Sequence, residues 1–274
     1  METATWLDWE EAAAERIPQG RIYLGCESCE NMLPGSILMS TCINHLHADK
    51  REITLVTPLV TAQGLGKITG LLDALVKVGR SLEVVCNDWG VFECILRYEF
   101  CTPVIGRLLS RQSTDPRYLS ITDSRVQSNF EKNVLHSDGT EARLTYRPPT
   151  QALLRHLRRP AIMNRELLQF LSTLGVNRFE ISNLLQGVEL IVPDDWHVSL
   201  HVPKVIVALK RCRVGSLDSC GSSCDKSGME FNDPGFPVPL FISPCEVFYQ
   251  NADLSGIANI KSIDRVVHPS FHEI

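Results

Sequence analysis

The residues of this sequence that could carry chemistry are first of all its cysteines, of which the chain has 10 among 274 residues. Three of them, Cys212, Cys220 and Cys224, lie within the stretch RCRVGSLDSCGSSC. Cys220 and Cys224 enclose only glycine and serine, and such small residues let a loop fold around one metal centre. Because this loop offers three thiolates, a site with four thiolate ligands needs one more cysteine from elsewhere in the chain.

The fourth thiolate is expected near the stretch CESC, which holds Cys26 and Cys29. These cysteines directly follow RIYLG (Arg21–Gly25), a run of residues that is typical of a strand and that we expect to be the first strand of the fold. In a barrel the carboxyl ends of the parallel strands lie on one face, so Cys29 or Cys26 is well placed to join the loop cysteines. Cys245 is an alternative from the late part of the chain.

Four thiolates suit either an iron–sulfur cluster or a tetrahedral zinc ion. Structural zinc sites favour two closely spaced pairs of ligands, whereas the late loop offers one tight pair of cysteines. The arrangement of three loop cysteines and one distant cysteine therefore favours a 4Fe–4S cluster, with zinc as the alternative. The cysteines that lie in apolar surroundings are predicted to be buried thiols without a metal, namely Cys42, Cys86, Cys94 and Cys101.

Polar residues at predicted strand ends are candidates for substrate binding. Asn87 and Asp88 close the stretch LEVVCND, although Asp88 could equally cap the helix that follows. His201, within VSLHVPK, could point into a barrel towards the cluster or be a hydrogen-bonded core histidine. Glu27 and Glu30 lie beside the early cysteines and could bind substrate or tune a cluster, but we interpret them as solvated loop charges.

The elements that must position these residues alternate between strands and helices. The strand-like run 52–60 is followed by residues 64–79, where apolar side chains recur at helical spacing and Gly79 is a plausible C-terminal cap. LEVVCND at 82–88 is the next predicted strand. The alternation returns later in the chain. Residues 163–175 are predicted to form a helix, and strand-like runs follow at Arg178–Ser182, 188–193 and 198–212. It predicts an α/β protein with a TIM-like barrel, complete or partial, and a doubly wound open sheet is the main competitor.

Composition is that of an ordinary globular protein, with 44% hydrophobic and 22% charged residues and a formal net charge of −5. We expect a single domain over 1–274, in which the polar region 110–149 is an insertion. The sequence has neither an apolar run of membrane-spanning length nor a secretory signal pattern, so we expect a cytoplasmic protein. HExxH, GxSxG, Walker and GxGxxG motifs are absent, which gives no support for proteolysis or nucleotide binding.

Four stretches of the sequence are similar to one subgroup of a known family. IYLGCESC, LEVVCNDWGVF, VFYQN and the run LHVPKVIVALKRC with its following C-x-x-x-C resemble UbiV/YhbV-like members of the collagenase-like peptidase family, also called peptidase family U-thirty-two. The resemblance implies a TIM-like barrel that holds one 4Fe–4S cluster on Cys29, Cys212, Cys220 and Cys224. The loop between Cys212 and Cys220 is shorter than is usual in that family, and Cys26 is an extra thiol beside the expected ligand.

The resemblance also implies a function. Members of this subgroup take part in oxygen-independent hydroxylation during anaerobic ubiquinone biosynthesis, together with a paralogous UbiU-like partner subunit. By this resemblance the substrate is a ubiquinone precursor, another small aromatic molecule or a nucleobase, and the mild acidic balance of the chain disfavours RNA. A hypothesis of a different class is a zinc-stabilised binding or scaffold protein without chemistry of its own.

Overall fold

The computed structural model describes residues 1–13, 17–48, 50–76, 81–122, 130–209, 229–243, 245–257 and 260–270. In chain order its strands are β1 (Glu2–Leu7), β2 (Arg21–Gly25), β3 (Ile53–Val56), β4 (Leu82–Cys86), β5 (Cys101–Ile105), β6 (Phe130–Leu135), β7 (Glu141–Tyr146), β8 (Arg178–Ser182), β9 (His197–His201), β10 (Lys204–Leu209), β11 (Met229–Phe231), β12 (Leu240–Ile242), β13 (Glu246–Gln250) and β14 (Ile263–Pro269). The α-helices are α1 (Trp9–Ala12), α2 (Ser36–Ala48), α3 (Ala62–Val76), α4 (Trp89–Ile95), α5 (Arg107–Ser110), α6 (Tyr118–Thr122), α7 (Gln151–Arg158) and α8 (Arg165–Thr173).

Eight parallel strands close into a barrel in the order β1-β14-β9-β8-β5-β4-β3-β2. Helices follow the first five of these strands along the chain, as expected for a TIM-like barrel. The predicted fold class is therefore confirmed, and the competing open sheet is excluded. No helix among the described residues is long and apolar enough to cross a membrane.

Side chains of the barrel strands alternate between the barrel interior and the surrounding helices. Residues such as Ile22, Leu55 and Val84 belong to the large core that includes buried helix residues. Their neighbours in sequence fill the barrel interior with a smaller cluster: Ala4, Tyr23, Val56, Val85, Val104 and Val267. This packing explains why nearly every position of the strands is apolar, because both faces of the sheet are buried.

Charged side chains close the amino-terminal end of the barrel. Arg265 Nη1 lies 2.7 Å from Glu83 Oε2, and Arg265 Nε lies 2.6 Å from Glu2 Oε2. Arg21 Nε contacts the other oxygen of Glu2 at 2.8 Å. Arg178 forms two hydrogen bonds with Asp264, at 2.7 and 2.9 Å. Function in such barrels resides at the opposite end, so this network is assigned to stability.

Two smaller sheets lie outside the barrel. An antiparallel sheet in the order β10-β13-β12-β11 lies between β9 and β14 in the chain, and β10 and β13 contribute to the carboxyl-terminal face. The other is the hairpin β6–β7. It lies within the polar region 110–149, where the structure also has α6, and none of its strands joins the barrel.

Several sequence predictions require correction. RIYLG forms the second barrel strand, because Glu2–Leu7 precedes it and pairs with both β2 and β14. Residues 188–193 were predicted to be extended within the sheet, but they form no strand. The run 198–212 contributes to two different sheets, through β9 and β10, because the chain leaves the barrel between them. The proposed cap Gly79 lies outside the described residues.

Candidate functional site

The carboxyl-terminal face of the barrel holds a cavity of about 110 Å³. For comparison, a cavity of about 150 Å³ can take up one benzene ring, so this one suits a molecule of about one small ring. Its walls come from the ends of β1, β2, β9 and β14 and from the antiparallel sheet. The side chains used below are Trp6, Arg107, His201, Lys204, Glu246 and Phe248.

Gly25 brings the chain from β2 into the cysteine-containing loop. Its φ of +129° is unfavourable for other residues, and a Cβ atom there would lie 2.3 Å from the carbonyl oxygen of Val56. The close approach of β3 therefore requires glycine at this position. The loop that follows contributes Cys26 and Glu27 to the cavity wall.

Arg107 and Glu27 form a buried ion pair in this wall, with both side chains only 4% exposed. Arg107 Nε donates to Glu27 Oε2 at 3.1 Å, and Nη2 contacts Oε1. Arg107 Nη1 donates to Ser182 Oγ at 3.2 Å and to the carbonyl oxygen of Lys204 at 2.7 Å. Burial lowers the pKa of Arg107, but the carboxylates of Glu27, Glu180 and Glu246 together outweigh burial, and the pKa is raised overall. The pair thus ties the loop after β2 to β8 and β10.

The prediction that Glu27 and Glu30 are solvated loop charges is wrong, because both are buried. The Glu30 carboxylate accepts hydrogen bonds from the backbone N–H of Thr61 at 2.6 Å and from its hydroxyl at 3.0 Å. These bonds hold the loop after β2 against the start of α3. Both carboxylates therefore fix the loop that carries the cysteines.

A second ion pair joins Lys204 of β10 to Glu246 of β13. The hydroxyl of Ser28 donates to Glu246 Oε2 at 2.6 Å, and Lys204 Nζ lies 4.7 Å from the centre of the Phe248 ring. Burial raises the pKa of Glu246, but Lys204 outweighs burial, so the pKa is lowered overall. This pair connects the antiparallel sheet to the loop after β2.

His201 is the last residue of β9, whereas the sequence placed it inside the longer strand-like run 198–212, and it lines the cavity. Its Nε2 atom is 3.0 Å from Glu180 Oε2, and the side chains are 4% and 1% exposed. The rings of Trp6 and Tyr23 pack edge-on at 5.4 and 5.9 Å between ring centres. His201 is therefore a hydrogen-bonded core histidine, one of the two alternatives considered for it, and it also lines the cavity.

Asn87 and Asp88 make contacts that organise neighbouring elements. Asn87 Nδ2 donates to the carbonyl oxygen of Thr57 at 3.0 Å, and Oδ1 accepts from the backbone N–H of Leu108 at 3.1 Å. Asp88 caps α4 by accepting from the backbone N–H of Gly90 at 2.7 Å. Neither belongs to the residues that line the cavity.

Cys29 lies at the carboxyl-terminal face, next to Cys245 at the start of β13. A hydrogen bond from the Cys245 thiol is the main reason why the pKa of Cys29 is lowered to about 6, and backbone N–H groups of Asn31 and Met32 assist. In contrast, burial raises the pKa of Cys26 to about 12. Cys29 is therefore the more readily ionised thiol of the CESC stretch, and thiolates are the form that binds metals.

Cys212, Cys220 and Cys224 lie outside the described residues. Within the described ranges, no three histidine, cysteine or acidic residues are grouped so that they could hold a metal ion. The cysteines predicted to be core thiols are Cys42, Cys86, Cys94 and Cys101; the first three are buried, and Cys101 is partly buried.

The chain on either side of 210–228 is anchored close to Cys245. Leu209, the last residue of β10, pairs with Glu246. Met229, the first residue of β11, pairs with Ile242, which in turn pairs with Val247. Both anchors therefore lie at the end of the antiparallel sheet where the β12–β13 connection carries Cys245.

Sequence reasoning missed Arg107, Glu180, Lys204 and Glu246. One signal was present for Glu180, because a carboxylate within the otherwise strand-forming run RFEIS must find a partner once both faces of the strand are buried. Arg107 lies two residues after the end of β5, in the region where barrel enzymes carry functional residues. Lys204 and Glu246 gave no local signal, because their pairing depends on the antiparallel sheet.

Comparison of the chain with protein-family models, with curated proteins and with solved structures finds no match.

Proposed function

We propose that this chain is an iron–sulfur protein of the UbiU/UbiV-like kind, whose 4Fe–4S cluster is bound by Cys29, Cys212, Cys220 and Cys224. It would take part in an oxygen-independent hydroxylation of a ubiquinone precursor, another small aromatic molecule or a nucleobase, together with a paralogous UbiU-like subunit. The observation that carries the proposal is the position of Cys29, whose thiol contacts Cys245 beside the two anchors of the segment 210–228.

Covalent reach supports this ligand set. Cys212 follows Leu209 by three positions, and Cys224 precedes Met229 by five. Since an extended chain spans at most about 3.6 Å per residue, the two cysteines are limited to about 11 and about 18 Å from their anchors. Chain length thus allows Cys212 and Cys224 to reach the end of the sheet that carries Cys245, which interacts with Cys29.

The donor chemistry of the described pair also fits a soft metal centre. Iron–sulfur clusters and zinc are bound by thiolates, and the hydrogen bond from Cys245 favours the ionised form of Cys29. When bound, a cluster with four thiolate ligands supplies electron transfer. The cavity beside it would hold a small substrate between Trp6 and Phe248, while the buried pair Arg107–Glu27 keeps the cysteine-carrying loop in place.

The proposal is tested by anaerobic purification of the full chain with iron and sulfide counts and a visible spectrum. We expect about four irons and about four sulfides per chain, with broad absorption in the visible range. Cys29→Ser and Cys212→Ala should lose most of the iron and the absorption. Cys26→Ser is the matched control in the same loop, and it should retain both.

Two outcomes would contradict the proposal. Colourless protein with about one zinc per chain would favour the zinc-stabilised scaffold, since the same thiolates also suit tetrahedral zinc. Iron retained in Cys29→Ser but lost in Cys26→Ser would transfer the ligand role to Cys26. Chelator-induced unfolding of the colourless protein would support a structural role for the zinc.

A further inference from the structure

The cavity wall contains a histidine that is held by a buried carboxylate, and neither residue is a ligand of the proposed cluster. From this arrangement we infer that His201 and Glu180 form a proton-transfer site, in which His201 accepts a proton from the hydroxyl group of a neutral one-ring ligand bound in the mouth of the barrel. His201 is then a catalytic residue that touches the ligand, and Glu180 is the positioning residue behind it. The inference goes beyond the proposed cluster and does not depend on it.

The contact between the two side chains uses one ring nitrogen of His201 and leaves the other without a hydrogen-bond partner among the described residues. We assign the hydrogen to Nε2 of His201 at its 3.0 Å contact with Glu180 Oε2, because an ionised carboxylate there can only accept a hydrogen bond. In the neutral ring Nδ1 is then the acceptor. Within the described part of the chain this ring makes no hydrogen bond through Nδ1, while the ring itself lines the cavity. A ligand hydroxyl in the cavity would find a proton acceptor there.

The surroundings keep the ring in one orientation. Trp6 and Tyr23 pack edge-on against His201 from β1 and β2. The Tyr23 hydroxyl donates to Ser199 Oγ at 3.2 Å and accepts from Arg265 Nη1 at 3.0 Å. Burial, with Glu180 as the next cause, raises the pKa of Tyr23. Tyr23 therefore keeps its proton, and His201 is the group left to exchange one with a ligand.

Charged side chains of both signs surround the cavity, and one buried carboxylate lies behind the ring. The described carboxylates are Asp8, Glu27 and Glu246 in the wall with Glu180 behind it, and the cations are Arg107 and Lys204. Glu180 Oε1 is buried and has no hydrogen-bond partner among the described residues. A carboxylate in this state is stabilised by a positive charge next to it, and protonated His201 supplies that charge.

The same charges determine the ligand class. Both described cations of the mouth are already paired, Arg107 with Glu27 and Lys204 with Glu246, so the site favours a neutral molecule with an acidic hydroxyl group over an anion. The rings of Trp6 and Phe248 and the small volume suit a planar ring. In the transfer the proton moves from the ligand oxygen to the Nδ1 lone pair. The electron pair of the O–H bond stays on the oxygen, and the resulting imidazolium lies against Glu180.

The test uses 4-nitrophenol, whose phenolate form is coloured, at a pH where free 4-nitrophenol is mostly neutral. Wild-type protein should bind it and raise the phenolate absorbance, and bound ligand should shift the Nδ1 resonance of His201 in ¹⁵N spectra towards the protonated value. His201→Gln should abolish the phenolate signal, and Glu180→Gln should weaken it about tenfold or more. His197→Gln is the matched control, because His197 lies at the other end of β9 and contacts Asp264 instead.

Four results would overturn the inference. Three of them are an unchanged phenolate signal in His201→Gln, an Nδ1–H tautomer in the free protein, and equal affinity for 4-nitroanisole, which has a similar shape without an ionisable hydroxyl. Glu180→Gln keeps the shape of the buried side chain, so an unchanged phenolate signal in this variant contradicts the inference even if His201→Gln fails to fold. Iron content is measured on the same samples. If the phenolate signal is lost while the iron content is unchanged, the result bears only on the proton-transfer site at His201. If iron is absent while the phenolate signal is intact, the result bears only on the proposed cluster.

Discussion

At the scale of single residues, buried charge pairs dominate the mouth of the barrel. Glu27 and Arg107 lie 80 positions apart in the chain and are almost completely removed from water. Removing one partner of such a pair leaves an uncompensated charge in a medium that solvates it poorly. The pair is therefore a sensitive point of the structure, even though its net contribution relative to apolar residues is small.

Glu27→Gln should destabilise the protein by about 3 kcal/mol, because Arg107 stays buried without a counter-charge. Urea denaturation followed by circular dichroism measures this loss. Glu93→Gln is the control, since the Arg97–Glu93 pair is exposed to solvent and should contribute no measurable stability. Equal effects of the two substitutions would show that the buried pair does not act as described.

At the scale of elements, Asn87 and Asp88 connect the end of β4 to its neighbours. Asn87 bridges the ends of β3 and β5, and a Cβ atom at Gly106 would lie 2.2 Å from its side-chain oxygen. Asp88 starts α4 in an extended conformation and accepts from two backbone N–H groups of the first turn. Both residues were candidates for substrate binding, and their contacts give them a definite role in holding the barrel rim.

Asp88→Ala should cost about 1 kcal/mol, the usual loss when a capping side chain is removed. Asp88→Asn should lose much less, because asparagine also caps helices well. Thermal and urea unfolding of both variants measure the difference. If instead 4-nitrophenol binding fell in Asp88→Ala while stability stayed constant, Asp88 would be a binding residue rather than a cap.

At the scale of the whole molecule, the two ends of the barrel have different tasks. The amino-terminal end is closed by the network of Arg21, Glu83 and Arg265, whereas the carboxyl-terminal end holds the cavity and Cys29. Burial raises the pKa of Glu83, but Arg265 and Arg21 outweigh it and lower the pKa overall. The same balance lowers the pKa of Asp264, where Arg178 outweighs burial.

This network predicts how stability depends on pH. A carboxyl group with a lowered pKa in the folded state stabilises the protein above its unfolded pKa, about 4 for these groups, and this stability is lost as the pH falls through the folded value. The free energy of unfolding should therefore decrease as the pH is lowered below about 4. Glu83→Gln should reduce the slope of this drop in urea titrations at several pH values. Equal slopes of unfolding free energy against pH for wild type and variant would contradict this role of Glu83.

The sequence by itself determined the local elements of the barrel. The strands at Arg21–Gly25 and Arg178–Ser182 and the helix α3 could be predicted, because runs of strand-forming residues and helical spacing are properties of neighbouring residues. Asp88 could be considered as a helix cap for the same reason, because a capping residue and its helix are neighbours in the sequence. The order of residues likewise placed Cys26 and Cys29 directly after a predicted strand, and the choice of Cys29 as a ligand came only from the family resemblance and stays a prediction.

Only the tertiary structure decided which charges are buried and which thiols meet. In the sequence Glu27 is a charged residue of a loop, and only barrel closure brings Arg107 to it as a partner. Glu180 likewise gains its partner only because β9 places His201 on the adjacent strand. Cys29 and Cys245 are more than 200 positions apart, and the antiparallel sheet brings them into contact. Burial and pairing are properties of packed surfaces from distant parts of the chain, so no local pattern of residues encodes them.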